Sequence, residues 1–585
     1  MPQRRGLTAQ DAGDSGRGPL GEAPPLSVMA DPGIYHRFPP SVILPATAIG
    51  AATGTVLVAV HAPLAAAIGT GAVMAALCAV RIRGMNIWRS LFMRIELWRR
   101  KKNPTGANPG GAAFDTPIPD SDESCGMRWE DGCLITMLQI ESSGVTPTLL
   151  SPKEIRTPDV VPLDEVARCL SQFDIRLAAI DIVALGTRTR GSHEAVLIYE
   201  QVLGPLPATA TRTVWVVLRF DPLENTGAIA NRGGGTEGTV RTAVIATRRV
   251  ANRLARHRIR ARMLTAAELT AADSAIWLDT DPAEWEESWR ALHCGEVEAA
   301  GYAIAPDRLT SEELVGIWAV PGASTMMRLR VSRSQMAGDR DERCDRVAVT
   351  AIVRHDTIGP VDGRARKVLS TLGLQSLPGV QRRVLLEGGE HTAAVHGVPA
   401  ALAELTIPSG HCGQVIGSTD DGFGVAVPLF GPGVGRVDIA GGLRLVQQVT
   451  VRAMALGARV IVHSSRPQEW ARLVEQVGRP EALSVSRPDG GAQHTAAATL
   501  IVYDGVTSVG QLPEATVMHV RAPGEMYEPD PAADVTLIES VDVPDQVHIR
   551  TAAGEHVVHV VSIPDEWRYL SGEPSVSAQL ADTSA

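Results

Sequence analysis

The sequence lacks most of the residue patterns that mark metal-binding or redox proteins. Aromatic residues make up only 4% of the chain, and its seven cysteines form no CxxC pair. Zinc sites usually contain closely spaced cysteine or histidine ligands, so this absence argues against a structural zinc site. An odd, scattered set is typical of reduced, buried thiols in a reducing compartment such as the cytoplasm. The seven positions are Cys78, Cys125, Cys133, Cys169, Cys294, Cys344 and Cys412.

Motifs for nucleophilic, metal-dependent or phosphate-binding chemistry are also missing. The chain has no G-x-S-x-G frame, no HExxH frame and no GK[ST] sequence. Two glycine-rich loops, at residues 232–235 and 431–436, lack the lysine and the strand-to-helix setting that grip a phosphate. We interpret both loops as flexible connections, and we predict no cofactor, no metal and no catalytic residue.

One short acidic string leaves an enzymatic alternative open. Asp279-Thr280-Asp281 could hold a divalent cation between two carboxylates, as in enzymes that use sugar nucleotides, because hard cations prefer oxygen ligands. Such strings are common by chance. The simpler interpretation is a turn that precedes a helix over Ala283 to Leu292.

The charge is distributed unevenly along the chain. The formal net charge is −10, but residues 1 to 102 hold 12 basic and 5 acidic side chains. The rest of the chain therefore holds 43 basic and 60 acidic side chains, a balance of −17. Because an acidic surface repels phosphate backbones, we expect no general binding of nucleic acid.

Residues 38 to 80 carry no charged side chain, which predicts a membrane segment. The stretch is long enough for two spans of about 20 residues each. Pro63 disfavours helix at the residue before it, so the pattern predicts spans over Val42 to Val60 and Pro63 to Val80 with a tight turn between them. A signal peptide would begin nearer the N-terminus and hold a single apolar run.

Flanking charge predicts that both termini are cytoplasmic in an inner-membrane protein. The loop between the spans carries no charge, whereas basic residues are concentrated directly after the second span. The spans are rich in small residues, which let helices approach closely and pack on each other or on other proteins. The candidate helix-packing positions are Gly50, Gly54, Ala67 and Gly71.

A second candidate surface follows the spans. Large apolar residues recur between Met85 and Trp98 at steps of three and four, which is helical spacing. Basic residues surround them, so the segment predicts a helix at the cytoplasmic face of the membrane or against a partner subunit. A plain continuation of the second span is the alternative. The candidate residues are Trp88, Phe92, Ile95 and Trp98.

The remaining chain predicts an α/β fold in two parts. We divide the chain into a disordered tail (1–37), a transmembrane hairpin (38–81), a basic amphipathic helix (82–102), a linker (103–123), two α/β subdomains (124–390 and 391–570) and a second disordered tail (571–585). Strands alternate with helices in both subdomains, which favours a sheet that is at least partly parallel.

In the first subdomain the pattern predicts a hairpin at Glu130-Asp131-Gly132, a helix over Leu163 to Gln172 and a helix over Thr239 to Arg256. It also predicts three strands, over Ala178 to Leu185, Ala195 to Tyr199 and Val214 to Phe220. For the second subdomain the expected order is strand Arg436 to Ile439, helix Leu443 to Leu456, strand Ala458 to His463, helix Gln468 to Val477 and then four strands, Thr499 to Tyr503, Thr516 to Val520, Val535 to Glu539 and Val557 to Val561.

Several short motifs occur in an order that resembles the EccE family, a membrane subunit of the mycobacterial ESX, or type VII, secretion system. Arginine strongly outnumbers lysine, which resembles an actinobacterial coding bias. The resemblance covers about residues 38 to 480. The motifs are Tyr199-x4-Gly204-Pro205-Leu206-Pro207, Trp215-x3-Arg219-Phe220-Asp221-Pro222, Arg232-Gly233-Gly234, Arg452-Ala453-x2-Leu456-Gly457-Ala458-x-Val460 and Arg466-Pro467-x2-Trp470.

The resemblance implies a subunit of an inner-membrane complex with EccB, EccC and EccD, in which EccC is the ATPase. It also implies a cytoplasmic domain akin to a degenerate glycosyltransferase fold. The first hypothesis is therefore a structural, non-enzymatic secretion subunit. The second is a membrane-anchored glycosyltransferase-like enzyme that uses a nucleotide-sugar.

Overall fold

The computed structural model describes residues 27–28, 40–79, 81–82, 85–102, 110–118, 121–142, 144–191, 193–334, 346–386, 394–486, 498–507, 515–522 and 531–570. The predicted C-terminal tail and most of the N-terminal tail lie outside these residues. The helices are α1 (Pro40–Ala59), α2 (Leu64–Ala79), α3 (Ile87–Lys102), α4 (Leu163–Ala167), α5 (His193–Leu203), α6 (Thr226–Ala230), α7 (Gly235–Arg256), α8 (Ala266–Ile276), α9 (Ser311–Gly316), α10 (Gly363–Thr371), α11 (Gln381–Leu385), α12 (Leu443–Ala455) and α13 (Ala471–Val477).

The strands, in chain order, are β1 (Ser27–Val28), β2 (Arg81–Ile82), β3 (Met85–Asn86), β4 (Phe114–Pro117), β5 (Ser124–Glu130), β6 (Cys133–Glu141), β7 (Thr148–Ser151), β8 (Glu154–Arg156), β9 (Val160–Pro162), β10 (Ser171–Gln172), β11 (Ile175–Arg176), β12 (Ala179–Thr187), β13 (Thr211–Phe220), β14 (Arg260–Met263), β15 (Glu286–Glu287), β16 (Leu292–Cys294), β17 (Val297–Ile304), β18 (Ser324–Arg333), β19 (Val347–Ile358), β20 (Leu374–Ser376), β21 (Val395–Gly397), β22 (Thr406–Pro408), β23 (Gln414–Ser418), β24 (Gly424–Val427), β25 (Arg436–Ala440), β26 (Val460–Ser464), β27 (Leu483–Ser486), β28 (Leu500–Asp504), β29 (Thr516–Arg521), β30 (Val535–Glu539), β31 (Gln546–Thr551) and β32 (Gly554–Val560).

Two helices occupy the apolar segment, and they pair with each other. The turn between α1 and α2 lies at His61-Ala62-Pro63, where the sequence predicts it, and His61 has a φ of +63° there. Within the residues described, no helix combines the length and apolar character that a bilayer crossing needs. The two spans and the location of the termini therefore stay predictions.

The first sheet has 14 strands, and its pairs among the described residues are all antiparallel. Its main order is β15-β16-β17-β19-β18-β12-β13-β6-β5-β4, with β14, β20 and β21 attached at the sides and β1 paired to β21. The expectation of parallel strands is wrong for this part. Helix α5 separates β12 from β13 in sequence, but it packs on α12, which belongs to the second half of the chain. Because α5 makes no crossover, β12 and β13 pair directly as antiparallel neighbours.

The second sheet has 12 strands and combines a parallel half with an antiparallel half. Its order is β27-β26-β28-β29-β25-β30-β31-β32-β23-β24-β7-β8. The strands from β27 to β30 along this path are parallel, as the alternating pattern predicts, and the others are antiparallel. We call the two sheets with their packed helices the first and second modules. The predicted mixture of α and β structure is thereby confirmed.

The chain crosses between the modules more than once. The hairpin β7–β8 follows directly on strands of the first sheet but pairs with β24 of the second. Tyr199 of α5 accepts a hydrogen bond at its hydroxyl from the Val415 backbone N–H at 2.8 Å. At the end of α12, the carbonyl of Ala455 accepts the backbone N–H groups of Arg190 and Gly191 at 3.0 and 2.9 Å. The proposed boundary near residue 390 divides the sequence, but the hairpin β7–β8, which precedes that boundary, belongs to the second sheet.

Several local predictions were wrong. Residues 195–199 lie in helix α5 and form no strand, and the predicted helix over Ala283 to Leu292 is a short 3-10 helix followed by β15 and the start of β16. The predicted helix over Leu163 to Gln172 ends at Ala167 and continues as a 3-10 turn and β10. Strand β4 lies inside the predicted linker, and β1 lies inside the predicted N-terminal tail.

Candidate interaction surfaces and the buried ionic networks

The two helices of the hairpin come into backbone contact at their small residues. A Cβ atom placed on Gly50 would lie 2.6 Å from the carbonyl oxygen of Gly71 and 2.9 Å from the Cβ of Ala75. One placed on Gly54 would lie 3.3 Å from the Ala67 carbonyl oxygen. The four candidate packing residues thus lie in the seam between α1 and α2. Their predicted contact with helices of other proteins stays a prediction.

An open groove runs beside this seam. It encloses about 570 Å³, and its walls are small or apolar side chains that include Thr47, Thr55, Val58, Ile68 and Ala72. Large apolar side chains are also exposed on the outer surfaces of the hairpin, and Val60 is 74% exposed. Because soluble monomers rarely expose contiguous apolar surface, the hairpin has the surface of a helix pair that is covered by lipid or protein.

Helix α3 presents two different faces. Met93 packs against the core of the first module, Leu97 is buried, and the guanidinium of Arg94 lies 4.6 Å from the centre of the Trp289 ring. The opposite face is exposed, with Phe92 58% and Trp98 57% accessible. This outer face, made of Leu91, Phe92, Ile95 and Trp98, contains three of the four candidate residues. The fourth, Trp88, lies in the same helix, and its side chain is outside the described part of the chain.

The Arg466-Pro467-x2-Trp470 motif of the second module meets Asp504 at the end of β28. Arg466 donates two hydrogen bonds to this carboxylate, at 3.0 and 2.9 Å, and the indole of Trp470 donates another at 2.9 Å. Ser464 adds a fourth at 2.8 Å. Burial raises the pKa of Asp504, but these hydrogen bonds outweigh it and hold the pKa below its ordinary value. The Arg466-Pro467-x2-Trp470 motif therefore fixes one loop edge of the sheet.

The Arg452 motif forms an ion pair that is sealed inside the second module. The guanidinium of Arg452 binds both carboxylate oxygens of Glu566, at 2.8 and 2.9 Å, and neither side chain is more than 3% exposed. Its remaining donors reach the carbonyl oxygens of Val415, Ile416 and Val561. This pair connects α12 to the C-terminal segment. Glu566 had no sequence signal, because it lies beyond the region covered by the resemblance.

The Trp215 motif contributes to an analogous network in the first module. Asp181 on β12 is 2% exposed and accepts two hydrogen bonds from Arg330, at 2.6 and 2.8 Å, and one from Arg219 at 3.1 Å. Arg219 also binds Glu130 at 2.8 Å. Burial raises the pKa of Asp181, but the guanidinium of Arg330, followed by that of Arg219, holds it far below its ordinary value.

The start of α12 resembles a phosphate-binding position but is already occupied. A parallel strand, β25, leads through Gly441 and Gly442 into this helix, which is the setting in which other proteins bind anions at a helix N-terminus. Here the Gly442 N–H donates to the carboxylate of Glu539 at 2.5 Å, and Arg444 lies beside that carboxylate. The chain's own acidic side chain thus takes the place of an anion.

The acidic string Asp279-Thr280-Asp281 is engaged in local turns. Asp279 has a φ of +57° and accepts a hydrogen bond from Ser274 at 3.2 Å, and Asp281 caps the following 3-10 helix through the Ala283 N–H at 2.8 Å. No cluster of three or more metal-binding side chains occurs in the part of the chain that the structure describes. The geometry fits the turn interpretation.

We therefore expect the double substitution of Asp279→Ala with Asp281→Ala to have little effect. Loss of the Asp281 cap should cost about 1 kcal/mol of stability, and binding of a nucleotide-sugar with Mn²⁺ should be absent before and after the change. Calorimetric titration of both proteins checks this. Manganese-dependent binding that disappears in the double variant would instead support the glycosyltransferase-like hypothesis.

Comparisons with known proteins place relatives across most of the chain. Residues 208–304, from before β13 to the end of β17, match the family described as a putative type VII ESX secretion system translocon, EccE. The ESX-1 secretion system protein EccE1 of Mycolicibacterium smegmatis is 27% identical over 439 residues, which is 72% of this chain and 83% of that protein. The ESX-5 protein EccE5 of Mycobacterium marinum is 28% identical over 58% of this chain and 81% of its own length. The ESX-2 protein EccE2 of Mycobacterium tuberculosis is 23% identical over 77% and 82%.

Proposed function

Because the chain belongs to the EccE family of type VII ESX secretion components, we propose that it is a structural subunit of the ESX inner-membrane complex and supports protein export across the mycobacterial cell membrane. Its hairpin is inserted in the membrane with both termini in the cytoplasm. Its partners there are EccB, EccC and EccD type subunits. The two modules form the cytoplasmic bulk of the subunit.

The exposed apolar surface of the hairpin is the single observation that carries this proposal. Its outward side chains, including Val56, Val60, Leu64 and Ile68, are each more than 60% exposed. Exposing such surface to water costs about 25 cal/mol for each Å², so lipid or partner helices must cover it. The basic residues after α2 favour the cytoplasmic side.

The motif residues also support a structural role. The buried acidic side chains that meet the motif arginines, Asp181, Asp504 and Glu566, are held in ion pairs with Arg219, Arg466 and Arg452. Catalytic acids and bases usually have perturbed pKa values and also reach a pocket. The pKa values of Asp181 and Asp504 are lowered, and the arginines bound to these carboxylates account for that direction. The glycosyltransferase-like alternative has only the acidic string in its favour, and none of the relatives is named as an enzyme.

Purification of the tagged chain in a mild detergent tests the proposal. EccB, EccC and EccD type subunits should be recovered with it in one assembly. If the chain ran alone while those three assembled normally in its absence, the structural role would have to be given up.

We predict that Gly50→Leu with Gly54→Leu will preserve membrane insertion but reduce the complex. Leucine is more favourable than glycine in hydrocarbon, so insertion should not suffer. The added side chains meet the backbone of α2 at Gly71 and Ala67, and such overpacking costs about 1 to 3 kcal/mol for each residue. Membrane fractionation reports insertion, and blue-native gels report the complex.

Ala52→Leu is the matched control, because Ala52 is exposed on the same helix and is not among the groove residues. It adds the same side chain where there is room, so the complex should stay at its normal level. Normal complex in the double glycine variant would contradict the prediction and would show that the seam is dispensable for assembly.

A further inference from the structure

The outer face of α3 has the composition of a surface that meets lipid headgroups. Leu91, Phe92, Ile95 and Trp98 are exposed along one side of the helix. At its end, the ammonium of Lys102 lies 4.4 Å from the centre of the Trp98 ring. Trp beside a basic side chain is characteristic of the layer where a bilayer meets water. In the part of the chain that the structure describes, these four side chains are 41 to 58% exposed.

The charge of the helix favours an anionic surface over a protein partner. Its only acidic side chain, Glu96, is already paired with Arg100. The last turn consists of Arg99, Arg100, Lys101 and Lys102, and the exposed members flank the apolar stripe. The chain beyond residue 102 has a formal net charge of −17, so an anionic leaflet would repel it. The basic last turn of α3 offsets this repulsion.

The inner face of α3 is attached to the first module, so a contact of α3 with lipid would position that module. Met93 packs against the core of the first module, and the guanidinium of Arg94 stacks on Trp289 in the loop between β15 and β16. Arg100 also acts on the buried carboxyl of Glu287 in β15, where burial raises the pKa of Glu287 and Arg100 opposes that rise. The helix is therefore attached to the first module along one side, while the apolar side chains of its outer face are exposed.

We infer that α3 lies in the headgroup layer of the anionic cytoplasmic leaflet, with Phe92 and Trp98 at the acyl boundary, and holds the first module at a fixed height and tilt. The basic side chains of its last turn bind lipid phosphates. An apolar face with basic flanks lies in the plane of the interface and does not cross it. This inference rests on the proposed function, because it requires the preceding hairpin to be in the membrane.

Photo-crosslinking of the full-length chain in native membranes tests the inference. A benzophenone amino acid at position 92 or 98 should give adducts with phospholipid, identified by mass spectrometry. The same amino acid at position 93 is the matched control and should give adducts within the chain, because Met93 faces the first module. Adducts of positions 92 and 98 with another protein, or no adducts at all, would overturn the inference.

The charge requirement is tested separately by reconstituting the full chain in nanodiscs. With phosphatidylglycerol present, lipid adducts at position 92 should be abundant. Replacing Arg99, Lys101 or Lys102 with glutamine should lower the yield of these adducts roughly fivefold for each residue replaced. Equal yields in pure phosphatidylcholine would contradict the role of anionic lipid.

The two proposals fail in different ways. If the chain is found in the membrane fraction with its partner subunits but position 92 labels a protein, only the inference about α3 is wrong. If the chain is absent from the membrane fraction, the proposed function is wrong as well.

Discussion

Replacing Glu566 with alanine is expected to lower the melting temperature of the second module by about 6 to 20 °C. The change leaves the guanidinium of Arg452 buried without its counter-ion, at a site where both side chains are almost fully enclosed. Removing one partner of a buried ion pair costs about 3 to 5 kcal/mol, and about 1 kcal/mol shifts the melting temperature of a domain of this size by 2 to 4 °C.

Differential scanning calorimetry of the detergent-solubilised chain checks this, and Asp565→Ala is the matched control. Asp565 is the neighbouring residue and forms an exposed ion pair with Arg568, 3.1 Å away. Exposed pairs contribute little, so this control should melt within about 1 to 2 °C of the unchanged protein. Equal melting temperatures for the two variants would show that the Arg452 pair does not hold the C-terminal segment in place.

Asp181→Asn is expected to destabilise the first module by a similar amount near neutral pH. The amide has the shape of the carboxylate but lacks its charge, so the guanidinium groups of Arg219 and Arg330 lose their shared counter-ion, and the cost is about 3 to 5 kcal/mol. The difference should depend on pH in one direction. Because the folded-state pKa of Asp181 is lowered, its contribution is complete above the unfolded pKa of about 3.9 and is lost as the pH falls through the folded value.

Melting temperatures of the variant and the unchanged protein should therefore differ most at pH 6 to 7 and converge as the solution is acidified below about pH 4. Glu154→Gln is the control, because Glu154 forms an exposed pair with Arg156 on β8. Its melting curve should match that of the unchanged protein. A constant difference between Asp181→Asn and the unchanged protein from pH 7 down to pH 2 would contradict the assigned charge linkage.

Local periodicity was sufficient to predict much of the second module. The predicted helix over Leu443 to Leu456 corresponds to α12, and the four strands predicted after Val477 overlap β28, β29, β30 and β32, whereas β27 and β31 were not predicted. Parallel strands buried on both faces leave continuous apolar runs in the sequence, such as residues 500–503 of β28. The hairpin at Asp131-Gly132 was equally visible, because both residues adopt the positive φ that this turn requires.

The first module was harder to predict, because strand pairing is not a local property. Helix α5, whose residues 195–199 were predicted as a strand, lies between β12 and β13 in sequence but packs on the second module, and β12 and β13 pair directly. The hairpin β7–β8 likewise pairs with a strand more than 270 residues away in sequence. Such long-range contacts depend on which apolar surfaces meet, and a single sequence does not specify them.

The candidate sites show the same limit. The small residues of α1 and α2 and the apolar stripe of α3 could be predicted from the spacing of residues within single helices. The partners of the motif arginines were not, because Arg452 and Glu566 are 114 residues apart and Arg330 and Asp181 are 149 apart. The motifs could therefore be recognised from the sequence, but the ion pairs that their arginines form could be identified only from the structure.

Export of ESX substrates from cells that lack the chromosomal copy of this gene tests the central claim most directly. The unchanged chain and the Asp279→Ala with Asp281→Ala variant should both restore secretion, because a structural subunit needs no metal-binding acids. The Gly50→Leu with Gly54→Leu variant should be present in the membrane but fail to restore it, because the hairpin no longer packs. Secretion that survives the hairpin variant and is lost in the acid variant would contradict a structural role and indicate an enzyme.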